Sequence, residues 1–274
     1  MAFHRIDDWS DAYENRAYVP DFSIYPPLWE REAEAFRQAM GDRAALGLPY
    51  GEDPRQTIDL FHPSGAAQGL VYLIHGGYWR ALSPRDFSHL AGGAVARGWA
   101  VALPAYRLAP TVSVPEIVAD VRTGLALAAA KVAGPVILAG HSAGGHLACR
   151  LACTDQPLDE ALAARLGRVV SISGLHDLRP LIRTDKNDDL RLDLATAMAE
   201  SPALLTPRDG LSLTAWVGGR ERPEFLRQSA LITNVWTGLG TATKLVIEAG
   251  KNHFDVIDSL GSQYGSLTET LFTT

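Results

Sequence analysis

Short apolar runs alternate with longer stretches of helical periodicity through most of the chain, and the runs have the length of strands rather than of helices. Seven are read as strands: Thr57–Phe61, Leu70–Ile74, Trp99–Leu103, Val136–Ala139, Val169–Ser173, Leu213–Val217 and Lys244–Glu248. Most are continuously apolar, as expected of strands covered by helices on both faces; a half-exposed antiparallel strand would alternate. Apolar residues at helical spacing predict helices over Asp86–Arg97, Pro115–Val132, Ala143–Cys153 and Pro223–Thr237, with a last one after His253. This βαβα order predicts an α/β protein with a mostly parallel central sheet of about eight strands flanked by helices.

Two regions stand outside that rhythm. Residues 1–50 hold one helix candidate, Leu28–Met40, in which Leu28, Trp29, Ala33, Phe36 and Met40 recur at helical spacing, before GLPYGEDP breaks the pattern. This stretch is read as an N-terminal extension packing on the core of a single domain that covers residues 1–274. Residues 175–212 carry the charged run TDKNDDLRLD and prolines at 180, 202 and 207, and are read as a small cap or insert. A segment of that length between two core strands is usually functional when it is ordered.

Composition narrows the partners. The 274 residues are 47% hydrophobic and 20% charged, ordinary globular values, and the net charge of −6 offers no overall attraction to phosphate backbones or anionic lipid. A small-molecule substrate is therefore expected, with no nucleic acid and no membrane, while a homodimer stays open. The opening MAFHRIDDWSDAYENR lacks the apolar run of a signal peptide, so a cytoplasmic location is expected. The two cysteines, Cys149 and Cys153, lie four apart in a predicted helix and are read as lining one packed face. No metal and no cofactor are expected, because neither HExxH nor paired CxxC occurs.

The chemistry enters at Gly140-His141-Ser142-Ala143-Gly144, which fits G-x-S-x-G, the strand-to-helix turn that exposes a serine hydroxyl. The strand-like PVILA precedes it and the helix-like GHLACRLAC follows it, as that turn requires. After the strand LVYLI comes His75-Gly76-Gly77-Tyr78-Trp79, where backbone N–H groups can face a developing oxyanion. Gly76, Gly77 and Ala143 are the candidate donors, and His75 is read as a brace for the loop. The α/β-hydrolase fold supplies serine, then an acid, then histidine from loops at strand ends. His253 follows the strand KLVIEA and is the candidate base. For the acid, the loop GGRERPE offers Glu221 and Glu224; Glu221 is preferred, since Glu224 falls in the first turn of a helix opened by Pro223. His4, His62 and His89 are read as surface or packing residues, and His141, His146 and His176 as edging the pocket.

HGGYW, GHSAGGHLA, SGLHDLRPL with Asn187 and the Ser201-Pro202 pair, VGGRERPEFLRQS and NHFD occur in the order in which similar segments occur in kynurenine formamidases, and the chain resembles that α/β-hydrolase family over roughly residues 70 to 260. The resemblance implies Ser142, Glu221 and His253 as triad and hydrolysis of an aryl formamide such as N-formylkynurenine, a reaction of tryptophan catabolism. The family usually carries aspartate where Glu221 stands. Tyr78 and Trp79 are candidate walls for an aromatic ring, and Asp177, Arg179 and Asn187 candidate partners for an amino-acid head. A carboxylesterase, thioesterase or other amidase would use the same triad. The HGG loop is shared with lipolytic esterases, which usually carry GDSAGG where this chain has GHSAGG. A reading from another class is a ligand-binding protein that keeps the fold without catalysis.

Overall fold

All seven predicted strands form in the computed structural model, which describes residues 5–273, and an eighth precedes them. The strands are β1 (Ala44–Pro49), β2 (Thr57–Phe61), β3 (Leu70–Ile74), β4 (Ala100–Pro104), β5 (Val136–His141), β6 (Leu166–Ile172), β7 (Ser212–Gly218) and β8 (Ala242–Glu248). They make one sheet in the order β1-β2-β4-β3-β5-β6-β7-β8. β2 runs antiparallel to both β1 and β4, and every other pairing is parallel. His4 lies outside the described residues.

The side-chain alternation of β3 accounts for its unbroken apolar sequence. Leu70, Tyr72 and Ile74 join one buried cluster with residues of the helices Val114–Lys131, Ala143–Leu151 and Pro223–Gly238; Val71 and Leu73 join a second with the helices Tyr25–Met40 and Ser266–Phe272. Both faces are thus covered. β8, at the sheet edge, departs from this pattern and is only half-buried, with Ile247 exposed. Cys149 and Cys153 lie in the first cluster as free thiols.

Two elements differ from the sequence expectation. β1 carries Gly47 in the left-handed region and ends on Pro49, and its register against β2 shifts between Ala45 and Leu48. The residues that read as a break therefore bulge a strand instead. The helix predicted over Asp86–Arg97 is divided into 3₁₀ turns at Pro84–Asp86 and Ser88–Ala91 and a short helix, Gly92–Ala96. Gly93 explains part of this: a Cβ there would lie 2.3 Å from the Thr268 Oγ1 and 2.5 Å from the Leu260 carbonyl oxygen. Close packing demands glycine at that point, and glycine is a weak helix former.

The segment between β6 and β7 is ordered. It holds short helices at Asn187–Leu190 and Leu194–Ala199 and buries Leu175, Leu178, Leu181, Leu190 and Leu192 in the first cluster. Among the described residues no helix is long and apolar enough to cross a membrane.

Candidate active site

Ser142 sits at the turn between β5 and the helix Ala143–Leu151 with φ +56° and ψ −118°. A non-glycine residue in such a region costs about 1–3 kcal/mol and persists only where its surroundings enforce it. Here they do. A Cβ on Gly140 would lie 2.1 Å from the Gly144 carbonyl oxygen, and one on Gly144 would lie 2.0 Å from that of Ile74, so only glycines allow the turn to close against β3. The Ser142 N–H donates to the Ile172 carbonyl at 2.8 Å, tying the turn to the end of β6. The residue is 2% exposed.

His253 stands on the loop after β8, and its Nδ1–H donates to Glu221 Oε2 at 2.6 Å. The other oxygen of Glu221 accepts from the Ser173 hydroxyl at 2.5 Å and from the Gly218 N–H at 2.7 Å. Three donors compensate the desolvation of a carboxylate whose side chain is fully buried. Glu224 is engaged elsewhere: it accepts from the Tyr13 hydroxyl at 2.6 Å and pairs with Arg227 through both oxygens. Of the two candidate acids, the structure brings Glu221 to the histidine. Ser173 has no signature in the sequence beyond its place at the carboxyl end of a core strand, where φ turns to +52°.

The loop after β3 leans on the serine turn, since a Cβ on Gly76 would lie 3.0 Å from Ser142 Cβ and from the His141 carbonyl oxygen. Among the described residues the N–H groups of Gly76, Gly77 and Ala143 have no protein acceptor. Gly77, Tyr78 and Trp79 all take positive φ, at +107°, +50° and +57°. His75 braces this loop from behind: its ring stacks on Tyr106 at 4.4 Å, and Nδ1–H donates to the Gly76 carbonyl at 2.7 Å. Burial pushes its pKa down to about 3, so the brace is neutral.

The aromatic and polar residues expected to meet a substrate are mostly spent on the protein itself. Trp79 is wholly buried and packs edge-on to His146, which makes it core and not pocket wall. Tyr78 is half-buried; its hydroxyl donates to the Tyr13 carbonyl at 2.5 Å, and the Lys186 ammonium lies 5.2 Å from its ring centre. Asp177 holds Arg179 with both oxygens, at 2.9 and 2.8 Å, and Asn187 closes its own turn by bonding both the N–H and the carbonyl of Leu192. Asp177, Arg179 and Asn187 therefore brace the insert. His146 and His176 are fully buried, and His146 bonds the Glu200 carbonyl.

The N-terminal extension does more than pack on the core. Tyr13, fully buried, reaches Glu224 through its hydroxyl and receives Tyr78 at its carbonyl. Asp11 pairs with Arg222, whose guanidinium lies 3.6 Å from the centre of the Tyr18 ring. Further on, Phe22 meets Phe254 at 4.6 Å and the Tyr25 hydroxyl accepts from Asn252 at 2.9 Å. One segment thus grips a neighbour of Gly77, of Glu221 and of His253. Contacts across some 211 positions leave no local signal in a sequence.

Comparison with known proteins places this geometry. The BD-FAE family model matches residues 58–206. Kynurenine formamidases of Danio rerio and Salmo salar are 28% and 29% identical, each match covering 82% of this chain and 80% of the relative. A crystal structure of a Silicibacter sp. protein, described as a candidate thioesterase, superposes with a TM-score of 0.92 at 44% identity, covering 96% of this chain and 98% of that one.

Proposed function

Because the chain belongs to the BD-FAE family and is a kynurenine formamidase-like α/β-hydrolase acting on amide or ester bonds, we propose that it removes a small acyl group, formyl above all, from an aryl amide such as N-formylkynurenine. The reaction runs through an acyl-enzyme on Ser142. His253 takes the Ser142 proton on Nε2 as Oγ attacks the formyl carbon, and the carbonyl electron pair moves onto oxygen. The N–H groups of Gly76, Gly77 and Ala143 receive that oxyanion, each donor being worth about 3–4 kcal/mol. Collapse returns the proton from His253 to the departing aryl amine. Water, activated by the same imidazole, then releases formate and restores Ser142.

The observation that carries this reading is the hold on His253. Glu221 keeps the proton on Nδ1 through a 2.6 Å bond, which leaves Nε2 as the basic edge, and its own charge offsets the imidazolium formed on the way. Glu221 does this with one methylene more than the family's usual aspartate. Tyr78 lies in the glycine loop itself and keeps partial exposure, and we assign the aryl ring to that side. The substrate is a small molecule, and a cytoplasmic site for the reaction remains part of the proposal.

A second reading, hydrolysis of an acyl thioester, is favoured by the 44%-identical relative described as a candidate thioesterase. Steady-state rates on N-formylkynurenine, p-nitrophenyl acetate and butyrate, and a short acyl thioester separate the two. The proposal expects formate release with kcat/KM at least tenfold above the other substrates, in the ~10⁴–10⁸ M⁻¹s⁻¹ range of ordinary enzymes. A formanilide rate at background beside brisk thioester turnover overturns it.

A further inference from the structure

His141, the residue just before the proposed nucleophile, has been given no task so far. It is 8% exposed, and its Nε2–H donates to the backbone carbonyl of His253 at 2.9 Å. The two imidazole rings lie 4.7 Å apart. On its other side His141 meets the glycine loop, where a Cβ on Gly76 would come within 3.2 Å of His141 Nδ1. One ring is therefore enclosed between the loop of proposed oxyanion donors and the loop of the proposed base.

From this arrangement we infer that His141 is a positioning residue, which fixes the backbone of His253 against the serine turn while Glu221 fixes its ring. His253 arrives from β8, and the ends of β6 and β7 separate that strand from β5 in the sheet. The loop must reach back over both. Glu221 holds only the Nδ1 edge of the imidazole, and a ring anchored at one edge can still swing with its main chain. The neighbouring bonds do not reach the serine turn: the Phe254 and Asp255 N–H groups donate to Asn252 Oδ1 inside the same turn, Asn252 donates to the Tyr25 hydroxyl of the N-terminal extension, and the Arg220 N–H donates to the Lys251 carbonyl from the loop after β7. His141 ties that turn directly to the strand that carries Ser142.

The bond also sets the tautomer of His141, with the proton on Nε2 and the lone pair on Nδ1. Burial, and next the nearby His253, drive the His141 pKa well below its usual value, so no second positive charge opposes the imidazolium on His253. The groups facing the His253 ring are Glu221, His141, Phe225 and Phe254, and only the first is charged at neutral pH.

This inference rests on the proposed role of His253, and its test separates the two. His141→Phe keeps a ring against His253 and removes the donor; His141→Gln keeps an N–H donor within reach of the carbonyl. Displacing a catalytic group by about 1 Å costs up to ~100-fold, so kcat of His141→Phe falls about 10- to 100-fold at little change in KM, and its rate of fluorophosphonate labelling falls in parallel. His141→Gln restores both to within about threefold of wild type. Equal losses in the two variants, or full activity in His141→Phe, overturn the inference while wild-type turnover and labelling leave the proposed function standing. Should His141→Phe not fold, nitrogen-15 imidazole spectra of the wild type decide: a persistent Nε2–H tautomer at His141 supports the inference, and an Nδ1–H tautomer overturns it. A wild type that neither labels nor turns over sinks the underlying reading instead.

Discussion

Replacing Glu221 by glutamine changes no volume and tests the hold on His253 at a single atom. Oε1 faces two donors, the Ser173 hydroxyl and the Gly218 N–H, and Oε2 faces one, the His253 Nδ1–H. An amide must place its single oxygen opposite the two donors, because an NH₂ group there would meet the Gly218 N–H head-on. Its NH₂ then points at His253 Nδ1. To accept that bond the imidazole must move its proton to Nε2, and it can no longer deprotonate Ser142. Forcing this wrong tautomer lowers kcat by about 10⁴ in serine proteases, which is ~5.5 kcal/mol at 1.36 kcal/mol per decade. Steady-state kinetics of Glu221→Gln should show a loss of that order with KM little changed. Glu224→Gln is the control: that carboxylate serves Tyr13 and Arg227, so its loss costs about 1–3 kcal/mol of stability in urea titrations and leaves kcat within about threefold. Turnover of Glu221→Gln within tenfold of wild type would refute the reasoning.

Three further outcomes follow from the same geometry. Gly76→Ala drives a Cβ to 3.0 Å from Ser142 Cβ and shifts the donor loop, so kcat should fall about 10²- to 10³-fold while the melting temperature barely moves; an unchanged kcat would show that the loop does not bind the oxyanion. Trp79→Ala empties a fully buried site and should cost about 3–5 kcal/mol of stability, measured by chemical denaturation, with specificity among aryl amides retained; a selective rise in KM would return Trp79 to the pocket. Burial holds His75, His146 and His176 neutral with pKa values of about 3, whereas the unfolded chain protonates them below about 6.5. Their contribution is therefore complete above that pH and is lost progressively as the pH falls from about 6.5 toward about 3. At pH 5 the penalty reaches about 2 kcal/mol for each. The urea midpoint should therefore drop between pH 7 and pH 5, and equal midpoints would contradict the assignment.

The sheet was legible because burial on both faces leaves an unbroken apolar run, as in Leu70–Ile74, and because glycines bracket the serine turn for steric reasons visible as a motif. β1 escaped detection since its Gly47 and Pro49 belong to a bulged edge strand, where they mimic a loop. The order serine, acid, histidine pointed to His253 and to the loop GGRERPE, and Pro223 at a helix start favoured Glu221 over Glu224; what the sequence could not show is the Gly218 turn, whose N–H holds one oxygen of Glu221 while the other meets Nδ1. Polar side chains in the insert misled in the opposite sense. Asp177 and Asn187 looked free to bind a ligand, but a long ordered segment consumes its own polar groups in holding its turns. The grip of Tyr13 and Tyr25 on the loops flanking Glu221 and His253 is tertiary throughout.

The central claim is that Ser142 is the activated nucleophile of the reaction, and intact-mass spectrometry after treatment with a fluorophosphonate reads that directly. The account predicts one adduct per chain, mapped by peptide analysis to Ser142 and absent in Ser142→Ala, with labelling slowed in Glu221→Gln. A wild-type protein that stays unlabelled, or an adduct on any other residue, would contradict it.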